Sequence, residues 1–227
     1  MIDKRCKIEH ALDGLADGQT IMISGFGGAG SPTKLIRLLG ASNAADLTIV
    51  VNSLRFLEGA APEMFEDRRV ARGICSAFRG RGKEPSLYER QWQAGELEIE
   101  LSPQGSFAER IRAGGAGIPA FYAFTAAGLN LSVDKQTAEF DGRTAVLETA
   151  LTGDFALLRA AEADRMGNLR FDGSMANFGP AMATACKTAV VEVKSFSEDL
   201  LAPDRIHLPG IYVDRVVLAP ETGEVRG

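Results

Sequence analysis

Apolar residues along this chain gather into short runs, and between most of those runs the spacing changes to a helical rhythm. Residues 19–24 (QTIMIS), 46–51 (DLTIVV) and 70–78 lack strict alternation, which is the pattern of strands buried on both faces. The first run opens into glycines, and after Pro32 residues 35–39 take up helical spacing, so the order predicted is strand, glycine loop, helix. Residues 85–94 predict a helix. Residues 97–101 (LEIEL) alternate apolar with acidic and predict a strand with one wet face. It ends at Ser102-Pro103-Gln104-Gly105, ahead of a helix over 107–112 and a second glycine-rich loop, Gly114-Gly115-Ala116-Gly117-Ile118-Pro119, which reads as too flexible for the middle of an element.

The second half changes character. Asp141-Gly142 before the apolar residues 145–147 predicts a β-hairpin, and Met166-Gly167-Asn168-Leu169 predicts another. Residues 155–160 (FALLRA) read as a strand between them, 180–187 as a helix begun by proline, and 189–193 as a strand. Short strands separated by helices are the sequence form of βαβ units. The fold class predicted is α/β: an open, mostly parallel sheet flanked by helices, with a hairpin-rich insertion. No linker or composition break divides residues 1–227, so a single domain is expected.

Composition removes several function classes. Of 227 residues, 45% are hydrophobic and 24% charged, ordinary for a globular domain. No stretch approaches the roughly 18 apolar residues of a membrane span, and the start lacks the hydrophobic region of a signal peptide. No membrane is expected as a partner. A net charge of −5 leaves Arg79, Arg81 and Lys83 as the one dense basic group, too little for a nucleic-acid partner, though able to clamp phosphates if not simply solvated. Cys6, Cys75 and Cys186 are scattered and odd in number, which argues against a disulfide framework or a zinc site and for a reducing cytoplasm. With His10 and His207 the only histidines, a Ser-His-Asp triad has few possible bases and no metal motif is available.

Gly25-Phe26-Gly27-Gly28-Ala29-Gly30 matches the dinucleotide pattern in letters. The acid that should end the next strand is replaced by Asn52-Ser53, and no Walker lysine follows. Two readings remain: a tight turn that needs glycine only for its backbone angles, or a loop opened to a ligand beside a helix N-terminus. Asn52 and Gln104 lie at strand ends, where ligands of open α/β sheets bind. Such amides either stabilise an oxyanion or cap their own turns. Glu148 reads as a salt-bridged residue or a buried acid, and the cysteines read as small packing groups.

Several ordered segments carry a resemblance: Asp17-Gly18 with SGFGGAGSP (24–32), SPQGSFAERIRAGGAGIPAFY (102–122), EFDGR (139–143), TGDFALLRAAEADRMGNLRF (152–171), NFGPAMATACK (177–187) and HLPGIYVDRVV (207–217). Over nearly its whole length the chain resembles the α (A) subunit of the family I CoA-transferases, the succinyl-CoA:3-oxoacid and 3-oxoadipate CoA-transferase type. The resemblance implies the CoA-transferase (NagB/RpiA-like) fold and, for a partner, a β subunit in an α2β2 assembly. It implies no catalytic nucleophile in this chain, because the family's glutamate lies in a Ser-Glu-Asn-Gly type motif of the β subunit. Glu58-Gly59 lacks the flanking serine and asparagine.

The reaction implied is ping-pong transfer of CoA between an acyl-CoA and a small carboxylic acid, with the CoA thioester as co-substrate and no permanently bound cofactor. Gly25, Phe26, Gly27, Gly28, Ala29 and Gly30 would shape the substrate and CoA pocket, Asn52 and Gln104 would contact substrate or oxyanion, and Gly115, Ala116 and Gly117 would complete its wall. A thioester hydrolase or ring-opening enzyme on the same scaffold, or a CoA-binding subunit without chemistry, are the alternatives. Relatives often carry Asn-Asn-x-Gly where this chain has Asn52-Ser53-Leu54-Arg55, Gly-Lys-Glu where it has Asp134-Lys135-Gln136, and Ala-Arg-Asn-Phe where it has Met175-Ala176-Asn177-Phe178. The loss of a second amide and a cation, with Leu54 and Arg55 reshaping the pocket, points to a larger or less charged acid.

Overall fold

The computed structural model describes residues 3–80 and 82–219. β1 (Thr20–Ile23) leads through the first glycine loop to α1 (Thr33–Ala41), and β2 (Leu47–Ser53) runs directly into α2 (Leu54–Ala60). Then come α3 (Glu63–Glu66), β3 (Val70–Ala77), α4 (Leu87–Gln93), β4 (Glu98–Leu101) and α5 (Gln104–Gly115). β5 (Ala120–Ala123), β6 (Thr137–Phe140) and β7 (Arg143–Thr149) form the insertion. β8 (Gly153–Ala163), β9 (Leu169–Arg170), α6 (Gly179–Ala185), β10 (Cys186–Phe196) and β11 (Arg215–Leu218) complete the chain.

The main sheet has the order β11-β10-β8-β1-β2-β3-β4, with β9 pairing on β8. All neighbours along that path are parallel, and β9 is antiparallel to β8. Alternate residues of the continuous apolar runs go to opposite faces, which explains why the runs show no alternation. Ile21, Ile23, Ile49 and Val51 pack under α1 through α4, with Leu35, Leu57, Phe65 and Tyr88. Met22, Val50, Ile74 and Leu158 pack on the other side with Phe107 and Ile111 of α5 and Met182 of α6.

Both expected hairpins form. Asp141 and Gly142 take φ of +50° and +73°, the two left-handed positions of a type I′ turn, and Phe140 pairs Arg143 across it. At the second, Asp164 Oδ1 accepts the Met166 and Asn168 N–H groups at 2.8 and 3.1 Å while Gly167 takes φ +79°. The insertion is a separate three-stranded sheet of order β5-β7-β6.

Four details differ from the sequence expectation. Gly114 and Gly115 belong to the last turn of α5 rather than to a flexible loop. Their missing side chains let the helix settle on the link between β7 and β8 and on α6: a Cβ on Gly114 would strike the Leu151 carbonyl, and one on Gly115 would strike Thr184. Gln104 is the first residue of α5, not a strand end. Cys186 and Lys187 open β10 rather than close α6, since Cys186 is already extended at φ −114°, ψ 155°. α2, α3, β5 and β11 are short, and α2 begins on the residue after β2 with no polar punctuation to announce it.

Candidate active site at the carboxyl edge of the sheet

Ligands of open parallel sheets bind beyond the carboxyl ends of the strands, and the first glycine loop leaves β1 there. Phe26 and Ala29 exchange both backbone hydrogen bonds at 3.0 Å, closing a tight turn over Gly27 and Gly28. Gly25, Gly27, Gly28 and Gly30 all have positive φ, from +58° to +126°, a conformation that a Cβ makes costly. Gly30 is also pressed on the Met175 carbonyl and the Asn177 amide. The loop therefore needs its glycines as a turn, and it still presents Phe26, 47% exposed, at its tip.

Three side chains fix the loop and the helix behind it. Asn177 Oδ1 accepts the Gly25 N–H at 3.1 Å, and its Nδ2 donates to the Ala29 carbonyl at 3.0 Å. Ser24 Oγ donates to the Gly30 carbonyl at 2.8 Å. Beyond the loop, Pro32 provides no side-chain cap for α1; Glu192 reaches over from β10 instead, its Oε2 accepting the Lys34 and Leu35 N–H groups at 2.9 and 3.1 Å. Arg159 on β8 donates to Glu192 Oε1 at 3.0 Å. Burial pushes the Glu192 carboxyl above the usual range, opposed by the Leu35 N–H, Arg159 and the Lys34 N–H.

Next to the loop the strand ends carry a row of neutral polar side chains. Val51 pairs Cys75 and Cys75 pairs Leu101, so Asn52, Ser76 and Ser102 follow in register on the α5 face, beside Ser24 of β1. Neighbouring strands lie about 4.8 Å apart, which makes this row about 14 Å long. Asn52 is buried and its Oδ1 accepts the Ser76 hydroxyl at 2.7 Å. The buried Ser53, Ser102 and Ser106 hydroxyls have no hydrogen-bond partner. Above Ser102, Gln104 is exposed in the first turn of α5, where Pro103 supplies no side-chain cap. Phe107 and Phe178 close the floor edge to face at 5.3 Å. The edge can offer hydrogen bonds from hydroxyls, amides and backbone N–H groups to a developing oxyanion.

The structure thus brings together the loop of Gly25 to Gly30, Asn52 and Gln104, but places Gly115, Ala116 and Gly117 elsewhere. α5 starts at the carboxyl edge and ends at the amino edge, where Gly114 abuts Leu151 just ahead of β8. Within this chain that second glycine cluster faces away from the first loop. A cleft of about 510 Å³, lined by Leu12, Leu15 and Leu38 with Glu9, Asp13 and Asp17, also lies toward that opposite edge.

Other candidates have structural occupations. Glu148 is buried and held by Lys135 Nζ at 2.8 and 2.9 Å. Glu58 accepts the Leu87 N–H at 2.8 Å, steadying the start of α4. Arg79 donates to Glu89 at 2.6 Å and to the Gly82 and Lys83 carbonyls at 3.2 Å; Arg81 lies outside the described residues. Burial pushes the Cys75 and Cys186 thiols up to about 12, so both are packing groups at neutral pH. Leu54 is fully buried in the core and does not reach the pocket. Among the described residues no cluster of three potential metal ligands occurs. Ala176 is half-buried and packs against the α6 side of the core.

Sequence reasoning missed Asn177 and Glu192, whose partners lie 152 and 158 residues away. It also missed Ser76 and Ser102, which join Asn52 in a row only through strand register, and Ser106 in α5.

The sequence model of the family described as "Coenzyme A transferase" matches residues 6–219. The A subunit of the succinyl-CoA:3-ketoacid coenzyme A transferase of Xanthomonas campestris pv. campestris is 46% identical over 92% of this chain and 85% of its own length. The A subunit of the 3-oxoadipate CoA-transferase of Pseudomonas putida is 43% identical over 96% of this chain and 94% of its own. Among solved structures, the acyl-CoA transferase apoenzyme of Escherichia coli O157:H7 superposes with a TM-score of 0.85 at 19% identity, covering all of this chain and 48% of that one.

Proposed function

This chain belongs to the coenzyme A transferase family, and we propose that it is the α subunit of a two-subunit enzyme that moves CoA between an acyl-CoA such as succinyl-CoA and a 3-oxo or related carboxylic acid. The observation that carries the reading is the pair of relatives named as A subunits, each more than 40% identical over at least 92% of this chain. The site geometry supports it. The carboxyl edge collects neutral donors beside the first glycine loop, while the one glutamate that imitates the family's nucleophile, Glu58, is engaged at the start of α4.

In this reading a glutamate supplied by the β subunit makes the first attack, on the acyl-CoA carbonyl. The thiolate leaves and returns to the glutamyl carbonyl of the resulting anhydride, expelling the first acid as its carboxylate. The second acid then attacks the enzyme thioester, and the thiolate released takes the acyl group from the new anhydride and frees the glutamate. Each attack builds negative charge on an oxygen. Gln104, Asn52 and the uncapped N–H groups of α5 are the groups of this chain that meet it. The loop of Gly25 to Gly30 forms the wall, held by Asn177, and Phe26 and Phe178 keep water from the anhydride and thioester. An α2β2 assembly in the cytoplasm belongs to the same proposal. The relatives' subunit names support a partner chain, and three free cysteines suit a reducing compartment.

The test is reconstitution with the β subunit. The expected result is CoA transfer that requires both chains and an acceptor acid, with no turnover by this chain alone. Loss of acyl-CoA at the same rate without acceptor would replace the transferase by a hydrolase.

A further inference from the structure

Among the described residues, Arg55 is a cation without a counterion at the carboxyl edge. It sits in the first turn of α2, two residues beyond the end of β2. Among the described residues its guanidinium has one partner, the Phe56 ring, at 4.8 Å from the centroid. Its Nε is buried and unpartnered, so that N–H has lost water and gained nothing in return. Phe56 in turn lies against the first glycine loop: its Cε1 is 3.8 Å from where a Cβ of Gly28 would stand.

Folding alone gives little reason for this placement. A cation in the first turn of a helix opposes the amide dipoles, and no acid of that turn offsets it. Arg69 shows the contrast at its outer nitrogens: its Nε is likewise buried without a hydrogen-bond partner, but its two Nη groups donate to the Ser42 and Gly40 carbonyls. An unpaired guanidinium resting on an aromatic ring beside a ligand-facing loop is prepared for a planar anion, which its forked donors match in a bidentate way.

We infer that Arg55 is a specificity-determining residue that binds a second carboxylate of the acid substrate, remote from the carboxyl group that exchanges CoA. The inference rests on the transferase reading and deepens it. It also reverses the expectation of a less charged acid, since the departure at this position adds a cation to the pocket.

The test uses the reconstituted two-subunit enzyme with a fixed acyl-CoA donor and two acceptors of nearly equal shape, succinate and its monoamide succinamate. The wild type is expected to favour succinate in kcat/KM by about 10- to 100-fold, the range of hydrogen bonds to a charged group. Arg55→Met should remove most of that preference, and Arg55→Lys, which keeps the charge but not the fork, should retain part of it. A preference unchanged in Arg55→Met overturns the inference. So does a loss equal for both acids that disappears with dephospho-CoA, because Arg55 would then serve the CoA phosphate. A wild-type complex that transfers CoA to neither acid overturns the transferase reading instead. Arg55 is then judged by heat: stabilisation of the complex by succinate but not succinamate, abolished in Arg55→Met, upholds carboxylate binding, and its absence ends it.

Discussion

The two glycine clusters, Gly25 to Gly30 and Gly114 to Gly117, are nearly alike in composition and opposite in use. In the first, four glycines hold positive φ, and the backbone itself could not run that way with side chains. In the second, Gly114 and Gly115 are ordinary helical residues whose neighbours have moved into the space a Cβ would take, and only Gly117 has the left-handed conformation, φ +71°. One cluster shapes a loop at the carboxyl edge. The other lets α5 dock on the β7–β8 link and on α6 at the amino edge. Glycine can be required for what the chain does locally or for what approaches it, and only the first requirement sets the path of the loop itself.

The largest effect separating the two uses is expected at Gly30. Alanine there is strained by φ +70° and would push on the Met175 carbonyl and the Asn177 amide, so the turn at the carboxyl edge must move. A displacement of about 1 Å at a reacting centre costs about 100-fold in rate. Gly30→Ala in the assembled enzyme is therefore expected to lose about 100-fold in kcat/KM with a much smaller change in melting temperature. A variant that melts far earlier yet turns over normally would show that the first cluster, like the second, serves packing.

Gly114→Ala should behave the other way. In a helix this exchange normally stabilises, by about 1 kcal/mol. Here the new methyl meets the Leu151 carbonyl, a backbone atom that cannot swing aside, and overpacking of that kind costs about 1–3 kcal/mol. Chemical denaturation should show a loss of that size, while kcat of the folded enzyme stays close to wild type. A gain in stability would mean that α5 ends without the contact with Leu151.

The contrast was hidden at the level of sequence for a physical reason. Runs of apolar residues reveal strands because burial on both faces leaves no other composition for them, and β1, β2, β3, β8 and β10 were all legible in that way. Asn52, Gln104 and the first glycine loop were likewise legible as residues of one sheet edge. Whether a glycine answers to φ or to a neighbour depends on partners such as Leu151 and Thr184, far along the chain. The same holds for Asn177 on Gly25 and for Glu192 on α1. No local pattern marks a side chain whose partner is more than 150 residues away, and Arg55 drew notice only as a departure until its unpaired Nε became visible.

Glu192 provides the smallest and most specific test of how the carboxyl edge is held. Because burial raises its folded pKa above the unfolded value, the native state retains this proton after the unfolded chain has released it. The contribution of the group to stability is therefore full below the unfolded glutamate range, near pH 4.5, and is lost as pH rises through the raised folded value. Glu192→Gln preserves shape and one acceptor for the α1 N–H groups but cannot ionise. At high pH the variant lacks the Glu192 charge that faces Arg159, and at low pH wild type and variant resemble each other as neutral acceptors. Two opposing trends follow. Titration alone makes the stability advantage of wild type over variant shrink as pH rises from about 4, whereas an ion pair with Arg159 strong enough to dominate would make it grow. Since the desolvation of Glu192 outweighs its partners, the shrinking difference is the expected outcome of melting curves taken across that range. A growing difference would show that the ion pair, rather than the two backbone hydrogen bonds, is what anchors α1 behind the glycine loop.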